Sequence, residues 1–357
     1  MSDTAPESPV QRAAPGTGGA GLRPAGAGAG QSHVRVAVDA LGGDRAPLEI
    51  VAGAARAATT GIQPVLYGPS SIDVMGLPLV EATELIEMDE HPVEAVRAKR
   101  DSSLVRSVLA VAHGEADTVV SAGSTGAMLA ASLLHIRRLP GVHRPAIAVP
   151  LPGRRGPTVL IDAGANADAR PEHLLQFADM GAVFAEEILG IENPEVRLLS
   201  IGEEDEKGNQ LTLDANELLR GSTLRFGGNI ESSRLLEGDS AVIVTDGFTG
   251  NVALKAVEGT IRSVLESLRG ELGSSIRGRL GGLLIRPSAR GIRRRLDPDT
   301  YGGAYLLGLR GLVVIAHGSS SRVAIANAIS LAARGVEHDI VARLEERLSG
   351  LAPATTD

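Results

Sequence analysis

The chain has 357 residues, 43% hydrophobic, 22% charged and 2% aromatic, with a formal net charge of −8. That suits one large domain or two ordinary ones with a true core, and the negative charge with so few aromatics excludes a general nucleic-acid binder. The absence of cysteine removes disulfides, thiolate nucleophiles and Cys-based metal sites. The eight histidines are scattered, with no HExxH spacing, so neither a metal nor a cofactor is expected.

Residues 1–32 are mostly Gly, Ala and Pro and read as a disordered extension. They lack the basic start and apolar run of a signal peptide, which leaves the cytoplasm as the expected compartment. The formal GxGxxG match at Gly16–Gly21 has no strand before it and no helix after it, and is set aside. The longest apolar stretch, Val119–Ile136, is interrupted by Ser121, Gly123, Ser124, Thr125 and Gly126, and reads as strand, turn and helix rather than a membrane span.

From Val34 one pattern recurs: a β-branched run, a polar turn with glycine, then a helical period. Strands are predicted at Val34–Val38, Asp117–Val120, Thr158–Ile161, Val196–Leu199, Ala241–Val244 and Leu312–Ile315. Continuous apolar strands alternating with helices predict a three-layer, doubly wound, mostly parallel α/β sheet over residues 33–348, with a flexible tail at 349–357. Pro92 and Pro171 mark helix starts, Gly114 and Gly190 helix ends, and a long last helix is predicted from about Arg322 to Leu348.

In such a sheet the turns after the strands gather at one edge, where ligands bind. Six turns rich in Gly, Ser, Thr, Asn and Asp would line it, and helix N-termini there offer free N–H groups to an anion. The candidates for gripping phosphate are Ser121, Gly123, Ser124, Thr125, Gly126, Asn166, Thr249, Gly250 and Asn251. Lys255 lies one helical turn beyond Asn251, on the same face, and could add positive charge. Asp246 and His317 are candidates for moving the proton. No Walker GxxxxGK[ST] or GxSxG motif is present.

Between Glu271 and Asp297 lie seven arginines and no acid: Arg277, Arg279, Arg286, Arg290, Arg293, Arg294 and Arg295. Ile276, Leu280, Leu283 and Leu284 share a helical face, and Pro287 should break or bend the run. This amphipathic, positive arm at about 273–300 could be a solvated hairpin, a dimer-forming arm, a contact for anionic lipid or a dock for an acidic protein.

At these segments the chain resembles the bacterial phosphate acyltransferases of phospholipid synthesis (the PlsX family). The matching stretches are VDALGGDRAP (38–47), EMDEHPVEAVRAKRDSS (87–103), SAGSTGAML (121–129), IDAGANADARPEHLLQFADMG (161–181), IGEEDEKGN (201–209), TDGFTGNVALK (245–255), YGGAYLLG (301–308) and AHGSS (316–320). They stand in the family's order. Leu41, Ser124, Thr245 and Tyr305 replace the usual Met, Asn, Cys and Pro. The resemblance implies an isopropylmalate-dehydrogenase/phosphotransacetylase-like fold and transfer of a fatty acyl group from acyl carrier protein to inorganic phosphate. It further implies a homodimer, peripheral on the inner face of the membrane, feeding the membrane glycerol-3-phosphate acyltransferase. Arg97, Lys99 and Arg100 form a second candidate dock for the acidic carrier. A phosphotransacetylase-like enzyme using acyl-CoA, and a non-catalytic membrane-recruited scaffold, are the alternatives; an oxidoreductase is weaker, lacking a dinucleotide fingerprint.

Overall fold

A computed structural model describes residues 33–296 and 300–349, with the backbone alone for 292–296. The predicted disordered extension and the tail beyond Ser349 lie outside the described residues. The chain runs β1 (Arg35–Asp39), α1 (Leu48–Ala58), β2 (Gln63–Gly68), β3 (Leu79–Glu81), α2 (Pro92–Ala98), α3 (Ser103–Ala112), β4 (Thr118–Ser121), α4 (Thr125–His135), β5 (Ala146–Leu151) and β6 (Thr158–Ile161). It continues through α5 (Pro171–Glu187), β7 (Val196–Ser200), α6 (Gln210–Arg220), β8 (Phe226–Glu231), β9 (Val242–Val244), α7 (Gly247–Gly273), α8 (Ile276–Leu296), β10 (Ala304–Leu307), β11 (Leu312–Ile315), α9 (Arg322–Glu337) and α10 (Ile340–Ser349).

The expected punctuation is in place. Ser102, Ser124, Asn209, Asp246 and Ser321 cap α3, α4, α6, α7 and α9 by accepting a backbone N–H of the first turn. Pro92 and Pro171 open α2 and α5. Gly114 and Gly190 follow α3 and α5 in the left-handed region, at φ 73° and 67°. The last predicted helix is instead two, because Asp339, at φ 49°, ends α9 before α10 begins. Pro287 does not break α8, which runs through it to Leu296.

The strands form one sheet in the order β3-β2-β1-β4-β11-β10-β5-β6-β9-β7-β8. Alternate residues of each strand feed two cores. Val36, Val38, Val242 and Val244 face α1, α5, α6, α9 and α10, whereas Ala37, Val119 and Ile243 face α2, α3 and α4. Tyr305 fills the first core: its ring meets Phe184 edge-on at 5.2 Å between centroids and its hydroxyl donates to the Leu331 carbonyl. Gly335 leaves the room, since a Cβ there would lie 2.7 Å from that hydroxyl.

The sheet departs from expectation at its centre. β10 is antiparallel to both β11 and β5, and β5 is antiparallel to β6. Everything from β6 to β8 therefore points opposite to β1, β4 and β11. The turns after β1, β4 and β11 lie at one edge and those after β6, β7 and β9 at the other, so the six do not converge on one edge.

Candidate functional site

What joins the two sets is a trough across the sheet's face, a cavity of about 720 Å³. Its floor is β5 and β10, the strands between the reversed halves: Ile147, Val149 and Leu151 with Ala304, beside Ile315 of β11. One wall is α7, through Asn251, Leu254, Lys255, Glu258, Ile261 and Leu265; Thr125, His317, Ser319 and Ser320 stand across from it, and Ala163 and Gly164 complete the lining.

Asn251 and Lys255 line the trough together, one turn apart, as the helical spacing predicts. Lys255 Nζ is 2.9 Å from Glu258 Oε2 and 3.4 Å from His317 Nε2. The Ser319 N–H donates to His317 Nδ1 at 3.2 Å, with the Ser319 hydroxyl 2.9 Å from the same nitrogen. An Nδ1 that accepts leaves the proton of the neutral ring on Nε2. The Lys255 ammonium, held by Glu258, and the His317 N–H thus lie side by side, two donors that a bound anion can share. Thr125, the first residue of α4, adds the positive end of that helix.

The other predicted phosphate residues lie off the lining. The Ser121 hydroxyl donates to Asp39 Oδ2 at 2.6 Å and accepts the Gly123 N–H at 3.0 Å. Asp39, fully buried, also accepts from Ser103 Oγ at 2.5 Å. Burial pushes its carboxyl above the ordinary range while these donors pull it back. Gly42 lets this turn wedge under the next, for a Cβ there would lie 2.7 Å from the Gly123 nitrogen. Ser124 is the α4 cap, and Gly126 packs on Pro92 of α2.

Beyond β6, Asp162 accepts N–H groups of Ile147, Gly164, Ala165 and Asn166 at 2.7–3.1 Å, plus the Asn166 side-chain amide at 2.8 Å. Asn166 also donates to the Pro145 carbonyl at 2.8 Å, so its side chain is held within the turn. Gly250 allows α7 to sit on this turn: a Cβ would fall 1.9 Å from the Asp162 carbonyl oxygen. Asp246 caps α7 by accepting the Thr249 N–H at 2.9 Å, and the Thr249 side chain is exposed. Asp246 is not part of the trough lining; Glu258, which sequence reasoning missed, is, and so are His317, Ser319 and Ser320 of the turn after β11, a third candidate for gripping phosphate. The signal for Glu258 was its i,i+3 spacing from Lys255.

The second half of α7 and α8 form a hairpin. Ile276, Leu280, Leu283 and Leu284 are 59–84% exposed. Among the described residues Arg277, Arg279, Arg286 and Arg290 make no ion pair; the side chains of Arg293, Arg294 and Arg295 lie outside them. In the second candidate dock, Lys99 is spent on Glu90 at 2.5 Å and the Leu85 carbonyl at 2.8 Å. Among the described residues no cluster of three or more His, Asp or Glu could hold a metal ion, and no helix is long and apolar enough to cross a membrane.

The architecture is shared with solved phosphotransacetylases. The chain is similar in structure to a phosphotransacetylase from Streptococcus pyogenes (TM-score 0.56, 20% identity, covering 85% of this chain and 94% of that one). It is equally similar to a branched-chain phosphotransacylase from Enterococcus faecalis V583 (TM-score 0.56, 16% identity, 85% and 99%). These are likenesses of fold. Sequence goes further: residues 34–343 match the family described as fatty acid synthesis protein. The chain is 46% identical to a phosphate acyltransferase of Heliobacterium modesticaldum, over 89% of this chain and 98% of that protein. It is 44% identical to one of Geobacillus thermodenitrificans, over 88% and 99%. The chain belongs to this family, the bacterial phosphate acyltransferases, and is an acyltransferase.

Proposed function

We propose that this acyltransferase moves a fatty acyl group from acyl-acyl-carrier-protein to inorganic phosphate, giving acyl phosphate for phospholipid synthesis. The observation that carries the reading is the lining of the trough. Lys255, His317, Ser319 and Thr125 gather polar groups at one part of it, and Leu254, Val257, Ile261 and Leu265 of α7, interspersed with Glu258 and Arg262, supply apolar surface along with Ile147, Val149 and Leu151 of the β5 floor. Phosphate binds between Lys255 and the α4 N-terminus while the acyl chain lies along the groove. With no cysteine in the chain, no thioester forms on the protein. A phosphate oxygen attacks the thioester carbonyl directly, the C–O bond forms, the C–S bond breaks, and the sulfur leaves with a proton. The proton on the departing sulfur is the one carried in by monohydrogen phosphate, and His317 Nε2–H donates a hydrogen bond to a phosphate oxygen while that proton passes across. Lys255 and the α4 N–H groups stabilise the oxyanion of the tetrahedral intermediate, and holding both reactants in one trough supplies the positioning.

The reading extends to surroundings. The exposed apolar face of α8, with arginines that make no ion pair among the described residues, suits an anionic membrane surface, where a peripheral, cytoplasmic homodimer would hand acyl phosphate to the membrane glycerol-3-phosphate acyltransferase.

The test is phosphate-dependent release of carrier protein from palmitoyl-acyl-carrier-protein, with acyl phosphate trapped as its hydroxamate and palmitoyl-CoA run in parallel. Hydroxamate from the carrier-protein donor, only with phosphate present, is the expected result. Product from CoA alone would replace this donor with acyl-CoA, and no product from either, in folded protein, would make the chain a scaffold.

A further inference from the structure

A second cavity, of about 450 Å³, opens at the other end of α4 and is lined by Leu133, Arg137, Arg138, Leu139, Val142 and Arg310, with Gly141. Its three arginines come from two separate places, the end of α4 and the turn between β10 and β11. Among the described residues none of them forms an ion pair with a carboxylate, in a chain whose net charge is −8. Arg138 is fixed by donating to the Val142 carbonyl at 3.1 Å and to the His143 carbonyl. Arg310 donates through Nε to the Arg138 carbonyl at 3.2 Å and through its backbone N–H to the Arg137 carbonyl at 2.9 Å. Arg137 is held at φ 70°, a region unfavourable to a long side chain.

Cations at a helix C-terminus complement its dipole, which accounts for Arg137 but not for Arg310. The positive field extends further: His135 is kept below its ordinary value by burial first, then by the charges of His113 and Arg100. Leu133 and Leu134, 37% and 48% exposed, add apolar surface beside the guanidinium groups. α4 ties this face to the chemistry. Thr125 lines the trough and Leu133 lines the second cavity, eight residues and so about 12 Å further along the helix.

We infer that the face built by Arg137, Arg138 and Arg310 with Leu133 and Leu134 docks an acidic protein, the carrier that delivers the acyl thioester. The inference rests on the carrier-protein donor proposed above. A thioester on a flexible arm has to enter the trough while its carrier stays outside, and charge complementarity at α4 would hold the carrier within an arm's length of Lys255. Such charges act chiefly on encounter, so their loss shows in the donor KM and in its salt dependence.

The experiment compares wild type with Arg137→Asn/Arg310→Gln; asparagine tolerates the left-handed backbone at 137. Expected at low ionic strength is a rise of about tenfold in KM for palmitoyl-acyl-carrier-protein, with kcat, phosphate KM and activity on a palmitoyl thioester of a small thiol unchanged. Wild-type KM should climb with salt toward the variant's. Arg137→Lys, which keeps the charge, should restore the low KM, and serves with Arg137→Asn alone if the double variant folds poorly. An unmoved carrier KM, an equal loss on the small thioester, or a carrier KM that moves only in Arg277→Gln/Arg279→Gln on the arm would overturn the docking face. Wild type inert toward the carrier donor but active with the small thioester would overturn the donor reading, and the docking with it.

Discussion

Lys255 shows how little of a residue's role is set by its immediate ion pair. Its contact with Glu258 is half exposed, at 2.9 Å, and such pairs contribute roughly 0–1 kcal/mol to stability. Its position 3.4 Å from His317 among the polar groups of the trough is what the proposed reaction uses. Lys255→Ala should therefore lower kcat/KM for phosphate by about a hundredfold or more, the scale of losing one oxyanion or anion donor, with an unchanged melting temperature. Equal turnover in variant and wild type would remove Lys255 from the site. Asn251 and Lys255 were legible beforehand because helical spacing fixes which side chains share a face. Ser121, Asn166 and Asp246 were visible as polar residues in the right turns, but sequence does not say which way a hydroxyl or amide spends its bonds. Here Asp39 and Asp162 organise the turns from within and occupy the first two, while Asp246 caps α7.

At the scale of elements, the join of α10 to α5 carries a buried carboxylate with only a distant partner. Asp179 is 2% exposed, and Arg347 lies 3.9 Å away while pairing with Glu186 at 2.8 Å. Burial raises the Asp179 carboxyl to about 6, Arg347 opposing and Glu186 adding to the shift. The folded state thus holds a proton that the unfolded chain has released, so stability falls as pH rises from about 4 to about 6. Asp179→Asn removes that penalty. The variant should exceed wild type by roughly 2–3 kcal/mol at pH 7.5, with the gap closing toward pH 4, as read from urea unfolding. Parallel pH profiles for the two proteins would show that α10 docks without this strain. The same scale explains what remained hidden in the fold. The six named strands all formed, since buried β-branched runs bounded by turns are a strong signal. β5 and β10 carry a weaker signal: AIAVPL has a proline within the strand and AYLL has no β-branched residue. Strand direction has no local signal, so the reversal they create, and with it the trough, could not be read from the turns.

For the whole molecule, a net charge of −8 sets the terms on which it could meet an anionic membrane. Averaged over the surface, that charge repels an anionic bilayer, so attachment has to be local. The α7–α8 hairpin is where charge and apolar surface separate from the rest: Leu284 is 84% and Ile276 79% exposed, and four described arginines stand on α8 without an acid among them. Lysine or arginine near such a surface contributes about 1 kcal/mol each at moderate salt, fading within a Debye length of roughly 10 Å, and buried apolar side chains add to it. Both contributions are needed if the global repulsion is to be outweighed. The protein should therefore sediment with vesicles containing anionic phospholipid and not with neutral ones. High salt should release part of it, and Leu284→Glu should reduce binding by about tenfold, while hydroxamate formation in solution stays at the wild-type rate. Equal sedimentation of Leu284→Glu and wild type would leave the arm's apolar face to a protein partner, and equal binding to neutral vesicles would remove its arginines from the contact.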